Sequence, residues 1–202
     1  MERSGFSRLI PMVIVLVIVI VAIVALFSLG RALFSSAGGD QPVVVNTGQQ
    51  ALVSTLADRS VRMTVRGPIV AEERFHSYAV TVSPSARTMT TYVGYLGQQL
   101  KTEQLPNNVQ AYEQFVFALD RANLMAGVPL EGEANDTRGI CATGFVYEFE
   151  VRQGENTIQK LWTSSCSGSK GSLAANVQQV MRLFRVQIPK FSELTRGLGF
   201  NA

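Results

Sequence analysis

Cys141 and Cys166 are the residues whose spacing most directly predicts a chemical bond. They lie at the outer ends of two segments, residues 140–152 and 155–166, that are rich in aromatic and β-branched residues and predict a β-hairpin. Directly opposed residues of such a pair lie about 4.5–5.5 Å apart between Cα atoms, within the reach of a disulfide. The sequence therefore predicts a disulfide between Cys141 and Cys166, and with it an oxidising compartment.

The register of this hairpin follows from its turn. If Gln153-Gly154 is a two-residue turn, the numbers of opposed residues add up to 307, and one face of the hairpin collects aromatic, apolar and thiol side chains. A turn displaced by one residue gives 309, which leaves the cysteines on one face but in diagonal positions. The first register opposes Phe149 with Ile158, Phe145 with Trp162, and Cys141 with Cys166.

Ser167 and Lys170 match the S-x-x-K spacing of penicillin-binding acyl enzymes, in which the lysine activates the serine. The S-D-N and K-T-G elements of those enzymes are missing from the sequence. A Ser/Gly/Lys stretch between a hairpin and a helix is typical of an ordinary loop. We therefore predict no catalytic residue and a protein that is not an enzyme.

The inventory of metal ligands is small, with one histidine, His76, and two cysteines that are far apart in sequence. A tight nitrogen and sulfur site needs three or four such ligands, so no metal site and no cofactor is predicted. His76 shares a strand face with Tyr78 and Val80, which indicates a histidine at the edge of the core.

Charged residues alternate with apolar ones on two predicted strands. On the hairpin these are Glu148, Glu150 and Arg152, and on the first strand Arg62 and Arg66. Such a pattern is typical of a strand face in contact with solvent, or of a docking surface.

An acidic loop at residues 130–139 is a further candidate surface, through Glu131, Glu133 and Asp136. Asn135 begins an Asn-Asp-Thr glycosylation sequon in the same loop, which matters only in an organism that has the modifying enzymes.

The elements that would position these residues predict an α+β domain of mainly antiparallel strands with two principal amphipathic helices, in the order α-βββ-α-ββ-α. Asn107 or Asn108 is a suitable N-cap for the first long helix. The predicted elements are a helix at 47–58, strands at 61–66, 75–82 and 87–95, a helix at 108–125, the hairpin strands at 140–152 and 155–166, and helical segments at 173–188 and 191–196.

Residues 9–29 form an uncharged run of 21 residues, Leu9 to Leu29. As a helix it would be about 31 Å long, the thickness of the hydrocarbon core of a bilayer. We therefore predict a transmembrane helix, because the apolar core of a cleaved signal peptide is usually shorter. Cleavage near Ala37 is the alternative.

The charges that flank this run predict its orientation. Arg3 and Arg8 precede it and Arg31 alone follows it, which places the N-terminus in the cytoplasm and the C-terminal domain outside. The predicted organisation is a cytoplasmic N-terminus at 1–8, the membrane helix at 9–29, a flexible linker at 30–45 and an extracytoplasmic domain at 46–202.

The remaining charge is balanced. The net charge is +3, and without those three arginines the basic and acidic residues are equal in number at 15 each. A nucleic-acid surface normally needs a concentrated basic patch, so nucleic-acid binding is not predicted.

The N-terminal stretch that begins Gly5-Phe6 and leads into the apolar run resembles the processing site of type IV pilin-like proteins. In that family a glycine precedes an apolar helix that starts with Phe and leads into an α+β domain. The family usually carries Glu five residues after the cleavage point, where this chain has Ile10. Gly38, Gly39 and Pro42 also interrupt the continuation of the helix that is usual in the family.

These observations predict a single-pass membrane-anchored envelope protein whose domain is a non-enzymatic interaction or assembly module. Its partners would be the lipid bilayer, through residues 9–29, and a protein or envelope component. One alternative is a small-ligand or lipid-binding module with an apolar pocket between the sheet and the helix of Val109 to Leu119. A type IV pilin-like subunit is the other alternative.

Overall fold

The computed structural model describes residues 47–200, which form an α+β domain, as predicted. Its strands build one six-stranded antiparallel sheet in the order β4-β3-β2-β1-β5-β6. In chain order the elements are α1 (Thr47–Leu52), β1 (Arg59–Arg66), β2 (His76–Val82), β3 (Ala86–Val93), β4 (Gln98–Pro106), α2 (Val109–Arg121), β5 (Val146–Gln153), β6 (Asn156–Ser164), α3 (Val177–Arg185) and α4 (Phe191–Leu194).

One face of the sheet packs against the helices. On β1 this face carries Val61, Met63 and Val65, and all three are almost completely buried. The period-two alternation of the strand sequence predicts this face correctly, because successive side chains of a strand point to opposite sides. The helices add their own apolar stripes to the same core, with Phe115 of α2 edge-on to Phe184 of α3.

Strand β4 is an addition to the predicted element order. It forms an edge of the sheet and pairs with β3 from Ala86 opposite Pro106 to Val93 opposite Gln98. Most of its residues are exposed, so its sequence is polar and lacks the apolar alternation by which a strand is recognised. Only pairing with β3 makes it a strand.

The hairpin of β5 and β6 has a different register from either predicted one along most of its length. Next to the turn, Gln153 lies opposite Asn156, which is the displaced register. A bulge between Val151 and Arg152 then shifts the pairing by one residue, so that Phe149 lies opposite Leu161. The preferred register of Phe149 opposite Ile158 is therefore wrong, because a bulge adds a residue to one strand and the sequence does not mark it.

The bulge also reverses which residues of β6 point towards the core and which point away from it. Leu161 points into the core with Phe149, whereas Trp162 lies on the other face, opposite Glu148. Ile158, predicted to face the core, is 37% exposed.

Helix boundaries follow their capping residues more closely than their apolar patterns. Asn108, as predicted, is the N-cap of α2, and its side-chain oxygen accepts a hydrogen bond from the backbone N–H of Ala111 at 2.9 Å. Asn176 caps α3 in the same way. The first helix is shorter than predicted: it ends at Leu52, and Leu56, which lies beyond its end, is 59% exposed.

The predicted membrane helix, cytoplasmic N-terminus and linker all lie outside the described residues. Within residues 47–200, no helix is both long enough and apolar enough to cross a bilayer.

Candidate functional site

The face of the sheet opposite the core, which we call the open face, carries the candidate site. On β1 it presents Arg62, Thr64 and Arg66, the residues that alternate with the buried valines and methionine. Thr64 lies between Glu148 of β5 and Ala79 of β2. The open face is therefore polar at its centre, and its charged residues come mainly from β1 and β5.

Glu148 is buried on this face, which corrects the prediction that it lies in solvent. Its carboxylate accepts a hydrogen bond from the Thr137 hydroxyl at 2.6 Å. It also forms ion pairs with Arg66 at 3.2 Å and with Lys160 at 3.5 Å. Residue 137 belongs to the predicted acidic loop, so the loop folds over the strand and removes the carboxylate from water.

A pocket of about 220 Å³ opens beside this cluster. Its wall is mostly apolar, and within the described domain its two charged lining residues are Arg66 and Arg138. The pocket is lined by Arg66, Ile69, Phe75, Tyr95, Thr137, Arg138, Gly139, Ile140, Cys141 and Val146.

A shallower shelf of about 470 Å³ continues from the pocket across the strands and shares Arg66, Phe75, Tyr95 and Arg138 with it. We call the pocket and the shelf together the groove. The shelf is lined by Arg62, Thr64, Arg66, Phe75, Ser77, Tyr92, Gly94, Tyr95, Gly97 and Arg138.

Tyr95 is held in place as one wall of the groove. Its ring stacks on Phe75 with centroids 4.2 Å apart. Its hydroxyl donates to the carbonyl of Val70 at 2.6 Å, and its backbone N–H donates to the carboxylate of Glu72 at 3.1 Å. Gly94 allows this arrangement, because it has a φ of 74° and an added Cβ would lie 2.3 Å from the Glu72 carboxylate.

The predicted disulfide is confirmed, and it lies at the groove. Cys141 and Cys166 are bonded with their Cα atoms 5.6 Å apart, and Cys141 lines the pocket. Both lie just beyond the ends of β5 and β6 rather than within them. The bond therefore fastens the loop that carries Thr137 and Arg138 to the sheet.

The acidic loop is only partly available as a surface. Glu131 and Glu133 are exposed, whereas Asp136 pairs with Arg138. Hydrogen bonding from Arg138 lowers the pKa of the Asp136 carboxyl to about 2. Thr137, the third residue of the predicted sequon, is buried against Glu148.

The other residues considered from sequence lie apart from the groove. Ser167 and Lys170 are both exposed, and the lysine contributes its backbone carbonyl as acceptor for the Thr163 hydroxyl. His76 is half-buried on the face of Tyr78 and Val80, at the edge of the core as predicted. The part of the chain that the structure describes contains no group of three potential metal ligands.

The predicted space between the sheet and α2 is filled by side chains. Tyr112, Phe115, Val116 and Leu119 of that helix are at most 4% exposed. A shallow cavity of about 530 Å³ lies elsewhere, along α3, α4 and the segment that ends at Phe200.

The alternation along β1 predicts its arginines as a possible docking surface, whereas Phe75, Tyr95 and Arg138 were not predicted as site residues. The signal that could have found Tyr95 is the Gly94-Tyr95-Leu96-Gly97 tip, which places two large side chains in a glycine-flanked turn. Arg138 carried no such signal, since only the folding of its loop brings it to β1.

Comparison with known proteins adds no family to this description: no family model matches the chain, and no curated protein matches it significantly.

Proposed function

We propose that the chain is a single-pass membrane-anchored protein whose extracytoplasmic domain is a non-enzymatic interaction module, and that it binds its partner through the groove. The observation that carries the proposal is the groove itself, where a mainly apolar pocket meets a shelf that carries arginine and hydroxyl side chains, on a sheet face that is not used for the core.

Exposed apolar side chains at the rim of the groove support this choice of surface. Ile69 is 48% exposed, Tyr95 49% and Leu96 97%. Apolar side chains that cluster in this way around a pocket are typical of protein interaction sites. Tyr95 is also fixed by its hydrogen bonds, so it would lose little conformational freedom on binding.

The location rests on the sequence together with the disulfide. The uncharged run at residues 9–29 supports a membrane anchor, and Arg3 and Arg8 support a cytoplasmic N-terminus. A bond between Cys141 and Cys166 is expected to persist in an oxidising compartment outside the cytoplasm.

Two measurements on cells test the location. We expect the protein to stay with membranes after alkaline carbonate extraction, and we expect protease added on the outer side of the membrane to digest the domain. Release by carbonate, or protection of the domain from external protease, would contradict the proposal.

Site-specific photo-crosslinking tests the groove. We expect a photoreactive amino acid at Leu96 to give a discrete crosslinked product in cells, and we expect Ile69→Glu to abolish that product. The matched control is the same photoreactive residue at Val186, which is 65% exposed on α3's side of the domain. Equal products from both positions, or none from Leu96, would exclude the groove as the interaction surface.

A further inference from the structure

The size of the pocket limits what can enter it. At about 220 Å³ it is smaller than the roughly 300–1,000 Å³ typical of sites for whole small molecules. Ile69, Phe75, Ile140 and Val146 make most of its wall apolar. These dimensions suit one large apolar side chain, inserted as the buried anchor of a larger contact.

The charged side chains that line the groove are all positive. Among residues 47–200, the charged residues that line it are Arg62, Arg66 and Arg138, and no carboxylate of this part of the chain lines it. Arg66 and Arg138 each have an acidic partner behind the lining, in Glu148 and Asp136.

Arg62 differs from the other two arginines. Among residues 47–200, no carboxylate lies within 4.0 Å of its guanidinium, although Glu150 is its neighbour across the strands. Its Nε is buried and has no hydrogen-bond partner within the described domain. Because the buried Nε is out of a ligand's reach, a ligand carboxylate would bond the terminal Nη atoms of this guanidinium, and charge-assisted bonds of this kind are the stronger ones.

The geometry of β1 sets the spacing. Arg62 and Arg66 lie four residues apart on one face, which separates them by about 13 Å along the strand. An extended segment that starts at the pocket would reach Arg62 about four residues later. Thr64 between them and Ser77 opposite Arg66 offer hydroxyl groups to a peptide backbone, whereas an acyl chain could not use them.

We infer that the groove binds an acidic protein segment that inserts one large apolar side chain into the pocket and places carboxylates against Arg62 and Arg66. This inference rests on the proposed function and specifies the chemistry of the partner.

Binding of synthetic peptides to the full-length protein in detergent micelles tests the inference. The probe is a blocked, fluorescently labelled peptide of one phenylalanine followed by five glutamates. Two matched peptides replace the phenylalanine by alanine or every glutamate by lysine. We expect saturable binding of the probe that weakens with salt, at least tenfold weaker binding of the alanine peptide, and no binding of the lysine peptide.

Variants of the protein locate the bound probe. We expect Arg62→Gln to weaken binding roughly five- to tenfold, because it removes a charged donor that has no ion pair of its own. The control is Arg121→Gln, an exposed arginine at the end of α2, which should bind the probe normally. Ile69→Glu should abolish binding, and its thermal unfolding should show that the variant is folded.

The inference is overturned if the lysine peptide binds equally well, if Arg62→Gln binds like the wild type, or if no peptide saturates below about 1 mM. Tighter binding of decanoate than of the probe would assign the groove to a fatty acid instead. In each of these cases a crosslinked product from Leu96 would still show that the groove contacts a partner in cells. The proposed interaction function and the inference of an acidic partner can therefore fail independently of each other.

Discussion

Glu148 lies on a sheet face that its sequence pattern assigns to solvent, yet it is 5% exposed. A buried carboxylate needs partners that replace its lost hydration, and Thr137, Arg66 and Lys160 supply them. Since Arg66 also lines the groove, the same carboxylate fixes the position of a residue in the candidate site.

We expect Glu148→Gln to lower the free energy of unfolding by about 1–3 kcal/mol, because two cations lose their shared partner. This loss of unfolding free energy is smaller than the loss expected for a fully buried ion pair, because the Arg66 and Lys160 side chains are 38% and 21% exposed. Urea unfolding measures the change. Glu150→Gln on the same strand face is the control and should stay within about 0.5 kcal/mol of the wild type.

Asp136 provides a prediction about pH. Its pKa is lowered to about 2 by hydrogen bonds from Arg138, whereas an unfolded chain has an aspartate pKa of about 3.9. The folded state therefore binds this proton more weakly, so the stabilisation is present above about pH 4 and is lost as the pH falls towards 2. Titration of the carboxyl carbon by NMR should give a midpoint near 2. In Arg138→Gln it should return towards 3.9, and an unchanged midpoint would show that the pair does not form.

At the scale of elements, the β5–β6 hairpin shows how one inserted residue redistributes side chains. Phe149 keeps its place in the core, but its neighbour across the strand becomes Leu161 instead of Ile158. Trp162 lies on the open face instead of the core face, and its side chain is buried there. Its backbone N–H donates to the Ser172 hydroxyl at 3.0 Å.

The register predicts unequal effects of two truncations on β6. Leu161→Ala should cost about 2–5 kcal/mol, because the side chain is fully buried against the core. Ile158→Ala should cost less than about 1 kcal/mol, because Ile158 is 37% exposed. Thermal or urea unfolding of the two variants compares them. A larger cost for Ile158 would favour the register without the bulge.

The disulfide joins the loop of the pocket to the end of the same hairpin, across a sequence separation of 25 residues. Replacing both Cys141 and Cys166 by serine should lower the free energy of unfolding by about 2–4 kcal/mol. Urea unfolding measures this change, and wild-type protein in reductant should show a similar loss. A maleimide that modifies the wild type without prior reduction would contradict the bond.

At the scale of the whole molecule, the described residues 47–200 belong to one compact unit by their internal contacts. About 155 residues bury enough surface for a self-sufficient core. We therefore expect a shortened chain that begins at Val45 to fold alone and to unfold in a single transition, measured by circular dichroism on heating. Failure of the shortened chain to fold would show that the preceding residues contribute to the core.

The sequence by itself determined the features that depend on neighbours along the chain. Alternation with period two assigned Val61, Met63 and Val65 to one face, and the capping preference of Asn placed the start of α2. The α+β class followed from such local patterns, and the pairing of Cys141 with Cys166 followed from the presence of the hairpin, although its register differs from the predicted one.

Only the tertiary structure decided the features that depend on distant segments. Strand β4 is a strand because β3 pairs with it, and the bulge in the hairpin has no local marker. The groove needs β1, the 94–97 turn and the 137–141 loop together. Pairing between remote segments is set by the packing of the whole sheet, so no window of neighbouring residues contains it.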